Sequence, residues 1–455
     1  FFTNFTYNPE VYYFLYIGEL KSYGLNHYLS DMFAGITGRR VEFVAIITDI
    51  LSQYNYRNLV VFSPRLKQSQ KTNGNHVSFR TAPEQFVKAV SSHPVVLRII
   101  KQILTRQNHL YINMYESEPH MILDELENVS LLGPDKELAR KFNNKAVQLE
   151  LLKAEIPVVD FRICQSMQDL LDVSEKLRKQ WQDGIFVSRM YSAAGAGSAI
   201  THSIGDIIDR FSGEDSRFLI SRYVPHDFDP TVLGVVANDK DVYIAGVADQ
   251  RIEDGNRFVG SAWPSILPVD IIDELKEYTR RVGRMIGSHG YRGIFGCDFI
   301  VDRENQVKFL EINARKQGTT LEFCYTLEQL LPEGSPSLPE LEYFAVQQHR
   351  FPVNAVELER ITRPLCWGTY NYKLKEEEET CGYIPQNPYE REAFRKVARG
   401  ELFKDFVILE HIGSKQVVLP GTFLARAVAV AGCHEDVQEG LQQAREMIEL
   451  TIRRT

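Results

Sequence analysis

The stretch GIFGCDFIVDRENQVKFLEINARKQGTT, residues 293–320, constrains this chain more than any other. Two apolar, strand-like runs, FGCDFIVD and VKFLEIN, are separated by the short turn RENQ, which is the pattern of an antiparallel hairpin. A two-residue loop at Glu304 and Asn305 sets Asp298 opposite Glu311. Glu311 and Asn313 are two residues apart, so they share one face of their strand. Three oxygen-bearing side chains therefore converge in an otherwise apolar hairpin. An unpaired buried polar group costs roughly 1–3 kcal/mol, so these groups need partners. Two explanations are open: local N–H or arginine partners, or a bound cation. A single strand Asp favours the first. The set of three, followed by Arg315 and Lys316, favours the second. Hard oxygen ligands suit Mg²⁺, which takes one or two carboxylates together with substrate phosphates; Mn²⁺ is its natural substitute.

A metal of this kind implies phosphates nearby, and three features of the chain suit them. Lys145 lies in the helical segment after GPDK, and Arg189 ends the strand GIFVSR. The loop SAAGAGSA (192–199), with Ser192, Gly195, Gly197 and Ser198, has small side chains and backbone N–H groups able to cradle an anion. Singly these are weak: a lone helix lysine is usually solvated, and a Gly/Ala loop is usually a turn.

At 455 residues the chain is too long for one typical core, and two or three subdomains are expected. The net charge of −8 carries no basic patch or stripe of a nucleic-acid binder. No run of about 20 apolar residues suggests a membrane helix, and FFTNFTYNPE at the start lacks the basic region of a signal peptide. Six scattered cysteines form no CxxC pair, so neither zinc nor a disulfide framework is expected, and a reducing cytoplasm fits.

Residues 1–130 read as mixed α/β, with VEFVAIITDIL, NLVVFSPR and HLYINMY as strands among helical stretches such as APEQFVKAVSSHPVVLRIIKQILTR. Strands alternating with helices suggest a parallel sheet. No glycine-rich phosphate loop follows these strands, so a dinucleotide fold is not indicated. Residues 131–330 begin with one helix carrying Leu138, Phe142, Ala146, Leu149 and Leu152 at helical spacing. LPEGSPSLPE (331–340) reads as a loop or linker into an α+β region, 331–455.

The order of these features resembles the ATP-grasp superfamily: a helix lysine, a strand ending in a cation, a small-residue loop, a hinge strand, then Asp and Glu-x-Asn on paired strands. FLEINARKQGTT is similar to that family's Glu-x-Asn-x-Arg signature, and GIFGCDFIV to its partner strand. The resemblance implies an α/β (α+β) ATP-grasp fold over 131–330, hinged near 220–225, after a pre-ATP-grasp α/β domain. It implies that Lys145 and Arg189 contact ATP phosphates and that the 192–198 loop covers them. Ser221, Arg222, Tyr223 and Val224 would face adenine, Asp229 would hold the ribose, and Asp298, Glu311 and Asn313 would hold Mg²⁺. Arg315 would meet the transferred phosphate. Arg189 stands where the family usually has Lys, which keeps the charge but changes its geometry. Arg251, in DQRIEDGNRFVGSAWP, is a candidate for the substrate carboxylate.

The activity this implies is a carboxylate–amine ligase that works through an acyl phosphate and joins a small carboxylic acid to an amino acid or peptide. GTFLARAVAVAGCHEDVQEGL adds a distant likeness to the branch typified by the peptide ligase of pheganomycin biosynthesis. An ATP-grasp kinase or an enol-activating ligase of the mycosporine–glycine synthase type would need the same nucleotide half, and a non-catalytic nucleotide-binding regulator is a third reading. A homodimer is the simplest assembly.

Overall fold

Helices alternate with strands at the start of the chain, and they build the expected parallel sheet. In a computed structural model, residues 1–18, 24–48, 57–62, 83–191, 197–213, 216–253, 257–373, 378–380, 390–410, 416–418 and 423–452 are described. The first sheet contains β1 (Phe2–Thr3), β2 (Val11–Gly18), β3 (Arg40–Ile47), β4 (Leu59–Val61), β5 (Leu110–Met114) and β6 (Val129–Leu132), in the order β1-β4-β3-β2-β5-β6. Only β1 is antiparallel to its neighbour. β2 (VYYFLYIG) is buried on both faces, as a central parallel strand must be. Its helices are α1 (Leu25–Thr37), α2 (Pro83–Ser92) and α3 (Pro94–Leu104). The last two form one run in the sequence but break at His93, because Pro94 cannot continue a helix and suits the start of the next.

A second break matters more. The single helix expected over Leu138–Leu152 is two, α4 (Lys136–Phe142) and α5 (Lys145–Leu152). Asn144 caps the second, accepting from the Ala146 and Val147 N–H groups at 3.1 and 3.2 Å. Lys145 becomes the first residue of α5 rather than a mid-helix surface residue.

The next sheet is small and antiparallel: β7 (Phe161–Cys164), β8 (Ile185–Arg189), β9 (Ser198–Thr201) and β10 (Phe218–Arg222), in the order β7-β10-β8-β9. It packs on α6 (Met167–Leu177) and α7 (Ile204–Phe211) around its own core of Leu170, Ile207, Phe211 and Phe218.

The largest sheet has eight antiparallel strands in the order β15-β14-β11-β12-β13-β16-β20-β18. They are β11 (Pro230–Val236), β12 (Val242–Glu253), β13 (Arg257–Trp263), β14 (Gly293–Val301), β15 (Val307–Asn313), β16 (Cys366–Lys373), β18 (Lys404–Glu410) and β20 (Phe423–Ala431). β17 (Glu378–Thr380) and β19 (Gln416–Val418) pair separately. The sheet therefore runs continuously through residues on both sides of 331. One face packs α5 and α8 (Val269–Ser288) through Leu149, Leu275, Val282, Phe295 and Phe299. The other packs α9 (Thr320–Leu330), α10 (Leu338–Gln348) and α11 (Glu390–Ala398) through Phe323, Leu341, Trp367 and Phe394. α12 (His434–Ile452) covers β16 and β20 from the α8 side. LPEGSPSLPE is only partly a linker: Ser337 and Glu340 form a capping box that starts α10.

Candidate functional site

Asp298 stands opposite Glu311 in the β14–β15 ladder, as the sequence suggests, but by a different route. The loop has three residues, Arg303–Asn305, with Asn305 left-handed at φ 59°. A bulge at Leu310 then returns the register that a two-residue loop would have set.

Asp298 is held from three directions. The Thr231 hydroxyl of β11 donates to its Oδ1 at 2.6 Å, Asn313 Nδ2 donates to Oδ2 at 2.8 Å, and Gln317 Nε2 lies 3.3 Å from Oδ1. Gln317 also donates to Thr231 at 3.0 Å. It can lie flat on β14 because Gly296 has no side chain; a Cβ there would sit 2.0 Å from Gln317 Cδ. Arg315 donates to the other end of Asn313, Nη2 to Oδ1 at 2.8 Å, and reaches Tyr115 OH at 3.3 Å and the Glu116 carboxylate at 3.5 Å. Lys145 contacts Glu311 directly, and its backbone N–H bonds the Met190 carbonyl at 3.0 Å, next to the end of β8. One small volume thus joins the signature, α5, the small sheet and the N-terminal domain.

No family model matches the chain. Over 237 residues it is 26% identical to a formate-dependent phosphoribosylglycinamide formyltransferase of Sulfurisphaera tokodaii, covering 49% of this chain and 58% of that one. Over 234 residues it is 22% identical to the butirosin acyl-carrier-protein–L-glutamate ligase of Niallia circulans, covering 48% and 55%. The chain thus spans about half the length of the curated relatives it matches. Among solved structures, a biotin carboxylase–βγ-ATP complex from Campylobacter jejuni superposes with a TM-score of 0.65 at 12% identity, over 98% of this chain and 95% of that one. The fold is the ATP-grasp fold.

The remaining candidates lie on the small sheet and the segment that follows it. Arg189 ends β8, and its N–H donates to the Gly197 carbonyl at 3.1 Å; Gly197 is left-handed at φ 77° and packs on the Arg189 side chain. Ser198 opens β9 and is buried, whereas Ser192 and Gly195 lie outside the described residues. Ser221 and Arg222 end β10. The Arg222 and Tyr223 N–H groups donate to the Asp160 and Gly184 carbonyls, and the Val224 carbonyl lies 2.7 Å from His226 Nδ1. Asp229 accepts from His226 Nε2 at 2.9 Å.

Arg251 is not brought to this site. The ladder pairs Asp298 with Thr231 and Thr231 with Ala248, so Ala248 and Gln250 share the Asp298 face. Arg251 points to the opposite face, where burial and the nearby Arg445 of α12 lower its pKa. Sequence reasoning missed Tyr115, Glu116, Thr231 and Gln317. Of these only Gln317 carried a signal, its place directly after the signature.

The electrostatics suit a cation and phosphates. Burial raises the Asp298 pKa against the Thr231 and Asn313 hydrogen bonds, which lower it. Burial and the Arg315 charge bring Lys145 down to about 8, with Asp298 opposing; its Glu311 contact opposes the shift as well. Among the described residues no group of three or more His, Cys, Asp or Glu side chains could hold a metal. The set here is two carboxylates and a carboxamide, which fits a metal that completes its shell with phosphate oxygens and water. Among the described residues no helix is long and apolar enough to cross a membrane.

Proposed function

We propose that this chain is an ATP-dependent carboxylate–amine ligase acting through an acyl phosphate, with an amino acid or peptide among its substrates. The observation that carries the reading is the convergence of Asp298, Glu311, Asn313 and Arg315 with Lys145 beside the end of β8. The two curated relatives add support: one is named a glutamate ligase and the other a formate-dependent formyltransferase.

In this reading a substrate carboxylate oxygen attacks the γ-phosphorus of ATP, the bond to the β-phosphate oxygen breaks, and ADP leaves. An amine then attacks the acyl carbon, the bond to the phosphate oxygen breaks, and the amine proton passes to solvent or base. Asp298, Glu311 and Asn313 would hold Mg²⁺, which would supply charge neutralisation on the phosphates. The chain's own residues do the rest. Lys145 and Arg189 bind phosphate oxygens, and Arg315 aligns the transferred group. Thr231 and Gln317 hold the Asp298 carboxylate in one orientation. Glu311, which contacts Lys145 in this structure, would turn to the cation and leave Lys145 available to phosphate.

The test is product analysis with Mg²⁺, ATP and a pool of amino acids and small carboxylic acids. ADP and phosphate that depend on the pool support the reading, and Glu311→Ala must abolish them. AMP and pyrophosphate would refute it.

A further inference from the structure

Three charged side chains lie buried together just beyond Gln317, and the nucleotide chemistry uses none of them. Arg426 of β20 donates from Nη2 to the Gly318 carbonyl at 2.7 Å and pairs with Glu322 in the first turn of α9. Glu390, the first residue of α11, interacts with both. Arg426, Glu322 and Glu390 are 7%, 1% and 3% exposed. The cluster sits on the Asp298 face: Val428 and Val430 pack with Trp263 and Trp367 in the core on that side, and Arg426 follows two residues along. Gln317 bridges the short gap, since it bonds Asp298 and directly precedes Gly318.

Buried polar groups normally saturate their hydrogen bonds. Among the described residues, Arg426 Nε, Glu322 Oε2, Glu390 Oε1 and the adjacent Thr319 Oγ1 do not. Gly318, whose carbonyl Arg426 holds, itself borders open space: a Cβ built on it would meet nothing within 4 Å. One donor and two carboxylate acceptors left open side by side complement a molecule that carries both a carboxylate and an ammonium. A purely structural pair tying β20 to α9 would leave all four atoms orphaned, at a cost for each.

We propose that Arg426, Glu322 and Glu390 recognise the amine substrate, and that this substrate is a free amino acid. Its carboxylate accepts from Arg426 Nε, and its ammonium donates to Glu322 Oε2 and Glu390 Oε1. Burial and the Glu322 charge push the Glu390 carboxyl up, against the Arg426 charge and a Tyr325 hydrogen bond, which lower it. The proposal rests on the ligase reading and adds where the amine sits.

The test compares three pools with MgATP and a mixture of small carboxylic acids: the twenty amino acids, their methyl esters, and their N-acetyl derivatives. The wild-type protein is expected to release ADP with the free amino acids at least about tenfold more efficiently in kcat/KM than with the esters, the effect of losing a charged hydrogen bond. The N-acetyl derivatives, which lack the amine, are expected to fail. Arg426→Met should bring the acid-to-ester ratio near one, and Arg426→Lys should recover part of it. Esters matching the acids, or N-acetyl derivatives replacing them, overturn this inference and leave the ligase reading standing. A melting temperature lowered by Arg426→Met with the ratio unchanged also overturns it. No ADP release with any pool overturns both. The wild-type comparison needs no variant to fold.

Discussion

Replacing either partner of the Lys145–Glu311 pair tests how charge is balanced in the proposed nucleotide site. Lys145 and Glu311 are 14% and 19% exposed, so both are largely desolvated. Breaking a buried pair from one side costs about 3–5 kcal/mol, because it strands the other charge. The two sides are not equivalent here. Lys145→Met leaves Glu311 facing its cross-strand neighbour Asp298, and Arg315, though close, is committed to Asn313, Tyr115 and Glu116. Glu311→Gln leaves Lys145 with Asp298, whose charge already acts on it. The expected losses are about 3 kcal/mol for the first and about 1–2 kcal/mol for the second. The double variant removes both charges and should cost no more than the lysine change alone, a coupling of at least about 1–2 kcal/mol. Urea midpoints at neutral pH read this directly. Mg²⁺ should raise the midpoint of Lys145→Met more than that of the wild type, since the cation replaces the missing ammonium. Additive single effects together with an equal response to Mg²⁺ would refute the reasoning.

Other substitutions probe different parts of the molecule. Gly296→Ala drives its methyl into Gln317, the far end of a flexible side chain, so the protein should keep its fold, lose about 1–2 kcal/mol and bind MgATP more weakly. Gly260→Ala instead meets the Thr369 backbone carbonyl at 2.0 Å and should wedge β13 from β16; calorimetry showing equal melting temperatures for the two would contradict this. For His226, burial lowers the pKa, but the Asp229 hydrogen bond and charge outweigh it and raise the pKa above 6.5. That stability is full below pH 6.5 and is lost as pH rises through the folded value, so Asp229→Asn should flatten the decline in pH-dependent melting. Lys316 and Glu342, both 3% exposed and 2.6 Å apart, form a fully buried pair. Lys316→Met should cost about 3–5 kcal/mol, and Lys316→Met/Glu342→Leu should recover part of it in the same denaturation assay.

The hairpin was legible because a strand's period of two ties polarity to a face, and only one register brought Asp298, Glu311 and Asn313 together. The loop was not legible, since a left-handed Asn305 and a bulged Leu310 cancel in the count. The α4–α5 break was hidden for a related reason: Phe142 and Ala146 are both buried, so one periodic pattern serves two helices. Thr231 lies 67 residues from Asp298, and nothing local to either announces the bond. Arg251 failed for want of a face, because proximity of its segment to the cleft did not say which side of β12 it occupied.

The signature does two jobs by alternation, and this explains why the N-terminal domain is part of the site. Glu311, Asn313 and Arg315 point into it, while the residues between them present backbone to the α4–α5 segment. Ile312 exchanges two hydrogen bonds with the Gln148 side chain at 2.8 Å, and the Ala314 N–H donates to Asn143 at 2.8 Å. The Lys316 N–H reaches the Tyr115 carbonyl at 3.2 Å, and its ammonium reaches the Met114 carbonyl at 2.9 Å. These contacts cover the exposed edge that β15 would otherwise leave open at the end of the sheet. They also fix Arg315, whose guanidinium is bounded by Tyr115 and Glu116 from the end of β5. Edge protection and the positioning of Arg315 therefore rest on the same bonds. A change that loosens the β5 end from Lys316 should move Arg315 as well, even with Asp298, Glu311 and Asn313 intact.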